Sequence, residues 1–183
     1  MVGNDLVDLN LAKTQSNWQR KGFLEKLFTV KEQIEILNSE NPFFKVWLFW
    51  SMKEAAYKCY VQEHQKRFFA PKIFSCQIKK NNIGFVNVES IEYHIKYSFT
   101  DNYIYTIAED TNPKKMVSDI FFIDEIKNKT KIIHQKILCY FPETVQLQKN
   151  ELGIPFLYQQ NKKLPFSITT SHHGNYGAFA ISN

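Results

Sequence analysis

The sequence predicts an α+β protein in which antiparallel strands pack against helices. Residues 73–108 form short, partly alternating segments rich in β-branched and aromatic residues, a pattern that predicts an antiparallel meander. The predicted strands are 73–79, 84–88, 91–99 and 103–108, with turns at Asn81-Asn82 and Asp101-Asn102. Before them, Asn41-Pro42 opens the strongest predicted helix, over residues 43–62.

The chain before that helix contains a predicted strand and a helical region. Residues 2–9 are predicted as a buried strand with acidic residues at its end. Residues 14–39 have a helical pattern of apolar side chains. A new helix is predicted to begin at Thr29, because Thr29 and Glu32 have the spacing of a capping box.

A polar connector that contains a proline, from Asp110 to Lys115, is the predicted boundary between two lobes of one functional unit. The lobes would be residues 1–110 and 111–183, and we expect them to be similar in structure. The elements predicted after the boundary are a strand or helix start at Ile120–Ile123, a helix over 124–140, a strand ending at Gly153-Ile154-Pro155 and a last strand over 176–182.

Composition narrows the class of protein. With 183 residues, 44% of them apolar, the chain can bury a core, and its longest apolar stretch is too short to span a bilayer. Three widely spaced cysteines form neither a disulfide framework nor a zinc pattern, so we expect a cytoplasmic protein. The net charge of +5 suits an acidic partner such as nucleic acid, a phosphorylated small molecule or an acidic protein. On charge alone, a generally lysine-rich composition is the favoured explanation.

The helix over residues 43–62 carries the first candidate site residues. Glu54 and Lys58 are four residues apart, so both lie on one face of the helix and can support each other. Lys53 lies about 100° around the helix from Glu54 and belongs to a different environment. The alternative for Glu54 and Lys58 is a surface ion pair, but the aromatic and apolar flanking sequence argues against a fully solvated face.

The second candidate is Asp5, in the predicted first strand directly after Gly3 and Asn4. An acidic residue in a buried strand is unusual unless it binds something, whereas Asp8 would serve better as the cap of a following helix. Mg²⁺ takes one or two protein carboxylates and completes its octahedron with substrate phosphates and water. Asp5 and Glu54 are therefore sufficient for Mg²⁺ if the substrate carries phosphates.

The third candidate is the segment 166–178, in which hydroxyls, imidazoles and glycines suit phosphate binding. His172 and His173 are adjacent, and adjacent side chains of a strand point opposite ways, so they do not share one metal. A serine nucleophile is poorly supported, because the G-x-S-x-G elbow is absent.

Four segments, in chain order, resemble motifs of the 4′-phosphopantetheinyl transferase superfamily. Gly3-Asn4-Asp5-Leu6-Val7 resembles its G-x-D-[IL]-V strand. The segment 50–58, WSMKEAAYK, is similar to its helix motif W/F-[ST]-x-K-E-[AS]-x-x-K, which is the most specific of the four. The segment 150–157 is similar to its N-x-x-G-K-P-x-L stretch, and 171–178 to its S-H-x-x-x-Y-[AG] strand.

The resemblance implies the fold of this superfamily and a reaction. The implied reaction is Mg²⁺-dependent transfer of 4′-phosphopantetheine from coenzyme A to a serine of an acyl or peptidyl carrier protein, as in holo-[acyl-carrier-protein] synthases. It implies Asp5 and Glu54 as Mg²⁺ ligands, and Glu54 and Lys58 as catalytic residues. The implied contacts to coenzyme A are Lys53, Lys58, Ser171 and His172, the last two at its 3′-phosphate end.

Two positions depart from the motifs, and two rival functions stay open. Ile154 replaces a lysine, and Val7 stands where long members have a second acid. The chain is intermediate in length between short, trimeric members and long, two-lobed ones, so we expect a compact or circularly permuted two-lobed enzyme, with monomer and trimer both open. The rivals are an inactive relative that only binds coenzyme A or a carrier protein, and a basic nucleic-acid-binding module.

Overall fold

The computed structural model describes residues 1–110, 115–124 and 126–183. In this part of the chain, three antiparallel sheets pack with five α-helices, so the predicted α+β class is confirmed. Residues 111–114, on which the predicted lobe boundary falls, lie outside the described residues.

The first sheet contains the predicted meander. Its strands are β1 (Val2–Asp8), β2 (Ser75–Ile78), β3 (Ile83–Val88), β4 (Ile91–Phe99) and β5 (Tyr103–Glu109), in the order β1-β5-β4-β3-β2. Asn81 and Asn82 form the predicted turn before β3, and both have positive φ, which asparagine tolerates better than most residues.

Four helices of the first part of the chain follow β1. They are α1 (Leu9–Gln15), α2 (Phe23–Leu27), α3 (Val30–Leu37) and α4 (Pro42–His64). Asp8 caps α1 through a hydrogen bond from the Leu11 amide, and the predicted capping box of Thr29 and Glu32 begins α3. The prediction of helix from residue 14 was wrong, because α1 ends at Gln15 and the chain turns until Gly22, whose φ is positive.

Helix α4 is the central helix and covers the first sheet. Leu48, Met52, Ala55 and Cys59 form one stripe of this helix, and all four are buried. Gly3 in β1 lies directly on α4, so closely that a Cβ at this position would overlap the Ala55 carbonyl and touch the Cys59 amide. The backbones of β1 and α4 therefore meet without an intervening side chain.

We expect Gly3→Ala to destabilise the protein by about 3 kcal/mol, the upper end of the usual cost of overpacking, because the atoms it meets are backbone and cannot move aside. The measurement is the midpoint of urea unfolding. An unchanged midpoint would contradict this packing of β1 on α4.

The second part of the chain forms the other two sheets and one helix. One sheet consists of β6 (Met116–Phe122), β10 (Ser167–His173) and β11 (Tyr176–Ser182), and the other of β7 (Val145–Lys149), β8 (Pro155–Gln159) and β9 (Lys162–Lys163). The predicted last strand is confirmed as β11. The predicted helix over 124–140 is shorter, as α5 (Lys129–Leu138).

The strand predicted to end at Gly153-Ile154-Pro155 is a different structure. Gly153 and Ile154 lie in the turn of a hairpin, and Pro155 begins β8. Gly153 has a positive φ of 71°, and the Asn150 side chain accepts a hydrogen bond from the Ile154 amide across the turn. The predicted strand end at this position was therefore wrong, because the chain reverses here and a second strand begins at Pro155.

Strands β1 and β10 run side by side in the same direction and are joined through side chains. Alternate backbone amides of β1 donate to side chains of β10, with the partner always 165 residues further along the chain. The pairs are Val2 with Ser167, Asn4 with Thr169, Leu6 with Ser171 and Asp8 with His173. This seam brings the motifs at the two ends of the sequence together.

Among the described helices, none combines the length and the apolar character needed to cross a membrane.

Candidate active site

Lys58 and Asp5 meet at the seam between β1, β10 and α4. The Lys58 ammonium lies 3.3 Å from Asp5 Oδ1 and donates to the Asn4 carbonyl at 2.7 Å and the Thr170 carbonyl at 3.4 Å. It therefore links all three elements. The structure thus brings together Lys58 and Asp5, which lie in two different motifs of the sequence.

Ser171 fixes the same carboxylate from β10. Its hydroxyl donates to Asp5 Oδ1 at 3.2 Å and accepts the Leu6 amide at 3.0 Å. The side chain is buried, and its hydrogen bonds orient Asp5. The structure thus places Ser171 beside the predicted metal ligand, whereas the sequence assigned it to the 3′-phosphate of coenzyme A.

Glu54 stands one helical turn before Lys58 and is partly buried. Burial is the main reason that the pKa of Glu54 is raised to about 7; the charge of Asp5 raises it further, and Lys58 opposes the rise. Two carboxylates thus share the charge of one ammonium in a region of low solvent access. A further cation would relieve this imbalance.

The donor chemistry of Asp5 and Glu54 fits Mg²⁺. Both are hard oxygen ligands, and Mg²⁺ commonly binds through one or two carboxylates with substrate phosphates and water. No group of three or more His, Cys, Asp or Glu side chains in the described residues could hold a metal ion. The pair would therefore need ligands from a substrate.

A cavity of about 360 Å³ opens beside this cluster. Asp5 and Lys58 line it at one side, and Arg67, Lys149 and His172 add basic groups around it. Part of its remaining wall is apolar, formed by Val61, Ile133, Leu152, Ile154, Pro155 and Ile168, and polar side chains such as Gln62, Thr130 and Thr169 complete it. A cavity with an apolar wall and several cations suits an organic ligand that carries phosphates.

Arg67 lies beside the turn in which Ile154 stands where the family motif has a lysine. Ile154 is only 5% exposed and packs in the wall. The Arg67 guanidinium lies against Gly153 of the same turn, so close that a Cβ there would be 3.0 Å from Arg67 Nη2. A cation is therefore present beside this turn, supplied by the loop after α4.

The two adjacent histidines have different surroundings, as the strand geometry predicts. His173 Nδ1 accepts the Asp8 amide at 2.9 Å, whereas His172 is exposed and lines the cavity. The pKa of His172 is lowered by partial burial and by the positive charges of Lys129, Lys58 and Lys149. Such a concentration of positive charge favours a bound anion.

Lys53 is not brought to this cavity. Its ammonium is 2% exposed, pairs with Glu32 Oε2 at 2.9 Å and donates to the carbonyls of Pro71 and Phe74. Protein partners therefore engage its ammonium, and the expected contact of Lys53 with coenzyme A stays a prediction. Lys53 instead holds the loop after α4 against the helix.

Sequence reasoning did not identify Arg67, Lys149 and Tyr57, all of which line the cavity. Lys149 directly precedes the Asn150 motif and Tyr57 directly precedes Lys58, so proximity to motifs was an available indication for both. Arg67 had none, because only the folded loop carries it back to Gly153.

Comparison with protein-family models agrees with the motifs. The family model described as ACPS, 4′-phosphopantetheinyl transferase superfamily, matches residues 1–108, more than half of the chain. Among solved structures, the chain is similar to Thermotoga maritima holo-[acyl-carrier-protein] synthase (AcpS), with 12% sequence identity and a TM-score of 0.44, over 88% of this chain and 83% of that one. No curated protein matches the sequence significantly. The chain belongs to the 4′-phosphopantetheinyl transferase superfamily.

Proposed function

We propose that this protein transfers 4′-phosphopantetheine from coenzyme A to a serine of an acyl or peptidyl carrier protein, with Mg²⁺ as cofactor. The observation that carries the proposal is the carboxylate pair of Asp5 and Glu54 with Lys58, next to a cavity lined by cations. The superfamily to which the chain belongs supports the transfer of phosphopantetheine in general.

Coenzyme A is the ligand that we assign to the cavity. The volume of the cavity, about 360 Å³, lies within the range of small-molecule sites. Arg67, Lys149 and His172 would contact the phosphates, and the apolar wall would contact the uncharged parts. Lys58, which touches Asp5, would lie at the pyrophosphate.

Asp5 and Glu54 would hold Mg²⁺, which, when bound, supplies positive charge to the pyrophosphate and its leaving group. Ser171 keeps the Asp5 carboxylate oriented, and Lys58 adds its charge to the same region. Glu54 is also the candidate base, because its pKa of about 7 suits acceptance of a proton near neutral pH.

In the proposed reaction, the serine oxygen of the carrier bonds to the phosphorus that carries pantetheine. The bond from that phosphorus to the bridging pyrophosphate oxygen breaks, and adenosine 3′,5′-bisphosphate leaves with the electron pair. The serine proton passes to Glu54 or to water.

Both ends of one chain contribute to the site. Asp5 and Lys58 come from the first part, and Lys149, Ser171 and His172 from the second. This supports a compact two-lobed enzyme in which one chain supplies all of these side chains.

We expect Arg67→Ala to weaken coenzyme A binding about tenfold or more, the usual cost of losing a charge-assisted hydrogen bond to phosphate. Calorimetric titration of coenzyme A in Mg²⁺ measures this. Lys66→Ala is the matched control, because Lys66 is the exposed neighbour of Arg67 and does not line the cavity. The coenzyme A affinity of this variant should stay unchanged. Equal affinities of both variants would place the phosphates elsewhere.

We expect kcat/KM for coenzyme A to rise with pH through about 7. The raised pKa keeps Glu54 protonated below this pH, and a protonated carboxyl can neither accept the serine proton nor bind a metal well. Initial rates between pH 5.5 and 9 at low coenzyme A measure the profile. A rate that is flat from pH 5.5 to 8 would be inconsistent with Glu54 as the titrating base.

The transfer itself is tested by chromatography of adenosine 3′,5′-bisphosphate. We expect its release when the protein is incubated with coenzyme A, Mg²⁺ and an apo carrier protein, and none with the carrier whose acceptor serine is alanine. Coenzyme A binding without release, with fatty-acid and secondary-metabolite carriers alike, would favour the inactive relative instead. The buried Ile154 in place of a lysine is the observation that keeps this second candidate.

A further inference from the structure

A second, smaller opening lies beside Glu54. It is a recess of about 30 Å³, and Glu54, Tyr57 and Phe69 are among its lining residues. Tyr57 also lines the large cavity, so one side chain separates the two openings. The recess has room for about one water-sized group, which excludes coenzyme A but fits the end of a serine side chain.

Phe69 stands exposed at this recess, with 66% of its surface accessible to solvent. Its neighbour Phe68 is fixed: the ring packs on Tyr57 and Tyr60 at 5.7 and 5.4 Å, and its amide donates to the Tyr57 hydroxyl at 3.2 Å. On the other side, Lys53 binds the carbonyls of Pro71 and Phe74. The structure therefore holds a large apolar ring in solvent at a defined position.

The surroundings of Phe69 are positively charged. The Lys26 ammonium lies 5.5 Å from the centre of its ring. Lys66 and Lys72, both exposed, flank it in the loop, and residues 65–74 contain no acidic side chain. Ile73, 43% exposed, adds apolar surface. Glu25 is the acidic residue of the neighbouring helix α2.

We propose that Lys26, Lys66, Phe69, Lys72 and Ile73 form a docking surface for the acidic carrier protein, and that the acceptor serine reaches Glu54 through the recess. This rests on the proposed function. An exposed aromatic ring among cations matches a partner that presents an apolar side chain among carboxylates. Phosphoryl transfer places the attacking and leaving oxygens in line, so separate openings for the acceptor and for coenzyme A suit the reaction.

The test is equilibrium binding of a fluorescently labelled apo acyl carrier protein, measured by anisotropy. We expect Phe69→Ser to weaken binding about tenfold or more, and Lys26→Glu to weaken it as well, with wild-type binding decreasing as salt is raised. Phe122→Ser is the matched control, because this ring is 59% exposed on β6 and lines neither opening. Coenzyme A affinity should be the same in all four proteins.

Several outcomes would overturn the docking surface. One is equal carrier binding by Phe69→Ser and wild type, and another is no carrier binding by wild type. The third is loss of carrier binding in Ile34→Ser rather than in Phe69→Ser, since Ile34 is an exposed apolar residue of α3. Bisphosphate release by wild type in the same samples tests the proposed function separately. If wild type releases the bisphosphate but Phe69→Ser binds the carrier as tightly as wild type, only the docking surface is refuted and the proposed function is retained.

Discussion

Replacing Glu54 by glutamine is expected to reduce phosphopantetheine transfer at least about 10³-fold, because one side chain would lose both its metal-binding charge and its capacity as a base. Glutamine keeps the shape and most of the packing of the glutamate. The measurement is the initial rate of bisphosphate release at saturating coenzyme A and carrier. Coenzyme A affinity should lose its dependence on Mg²⁺ in the same variant.

The stability of Glu54→Gln separates loss of chemistry from loss of fold. The folded protein raises the pKa of Glu54 from 4.5 to about 7, so between these values the folded state holds the proton more tightly than the unfolded chain. The stability contributed by proton binding is present below pH 4.5 and is lost as the pH rises through 7. At pH 8 without Mg²⁺, glutamine should therefore stabilise the protein by up to about 3 kcal/mol, because one pKa unit corresponds to about 1.4 kcal/mol. An active variant, or one that is inactive because it is unfolded, would contradict this role.

Replacing Glu32 by alanine is expected to cost about 3–5 kcal/mol of stability, because it leaves the Lys53 ammonium buried without a counter-charge. Glu32 Oε2 also accepts the Thr29 amide at 2.7 Å, and Oε1 accepts the Cys76 amide at 2.7 Å. Loss of this carboxylate thus affects the start of α3, the start of β2 and the loop that carries Phe69.

A double-variant cycle isolates the ion pair from the other hydrogen bonds. Glu32→Gln and Lys53→Met each leave one buried charge unpaired, whereas the double variant leaves none, so its loss of stability should be smaller than the sum of the two. Urea unfolding of the four proteins gives the coupling. Additive losses would mean that the pair contributes no interaction of its own.

Local sequence patterns were sufficient to predict the elements whose stability depends on near neighbours. The α4 helix, the meander with its Asn81-Asn82 turn and the capping box of Thr29 are all determined within a few residues. The hairpin around Gly153 was missed, because one strand was predicted to end at Gly153-Ile154-Pro155, although glycine and proline are themselves typical of a chain reversal. The seam between β1 and β10 was beyond reach, because it joins residues 165 positions apart.

The residues of the candidate site were likewise only partly predictable from the sequence. Asp5, Glu54 and Lys58 lie in motifs, and helical spacing alone puts the last two on one face. Lys53 and Ser171 lie in motifs as well, but their polar groups bind protein partners: Glu32 for the lysine, Asp5 for the serine. Arg67 reaches the cavity only through the course of the loop after α4, which no local pattern encodes.

The most direct test of the account is the intact mass of a carrier protein incubated with coenzyme A, Mg²⁺ and either wild type or Glu54→Gln. With wild type, we expect the carrier to gain the mass of one phosphopantetheine group on its acceptor serine, and with the variant, no gain on the same timescale. An unmodified carrier with wild type, across fatty-acid and secondary-metabolite carriers, or an equal gain with both proteins, would contradict the assignment of Asp5, Glu54 and Lys58 as the centre of a phosphopantetheinyl transferase.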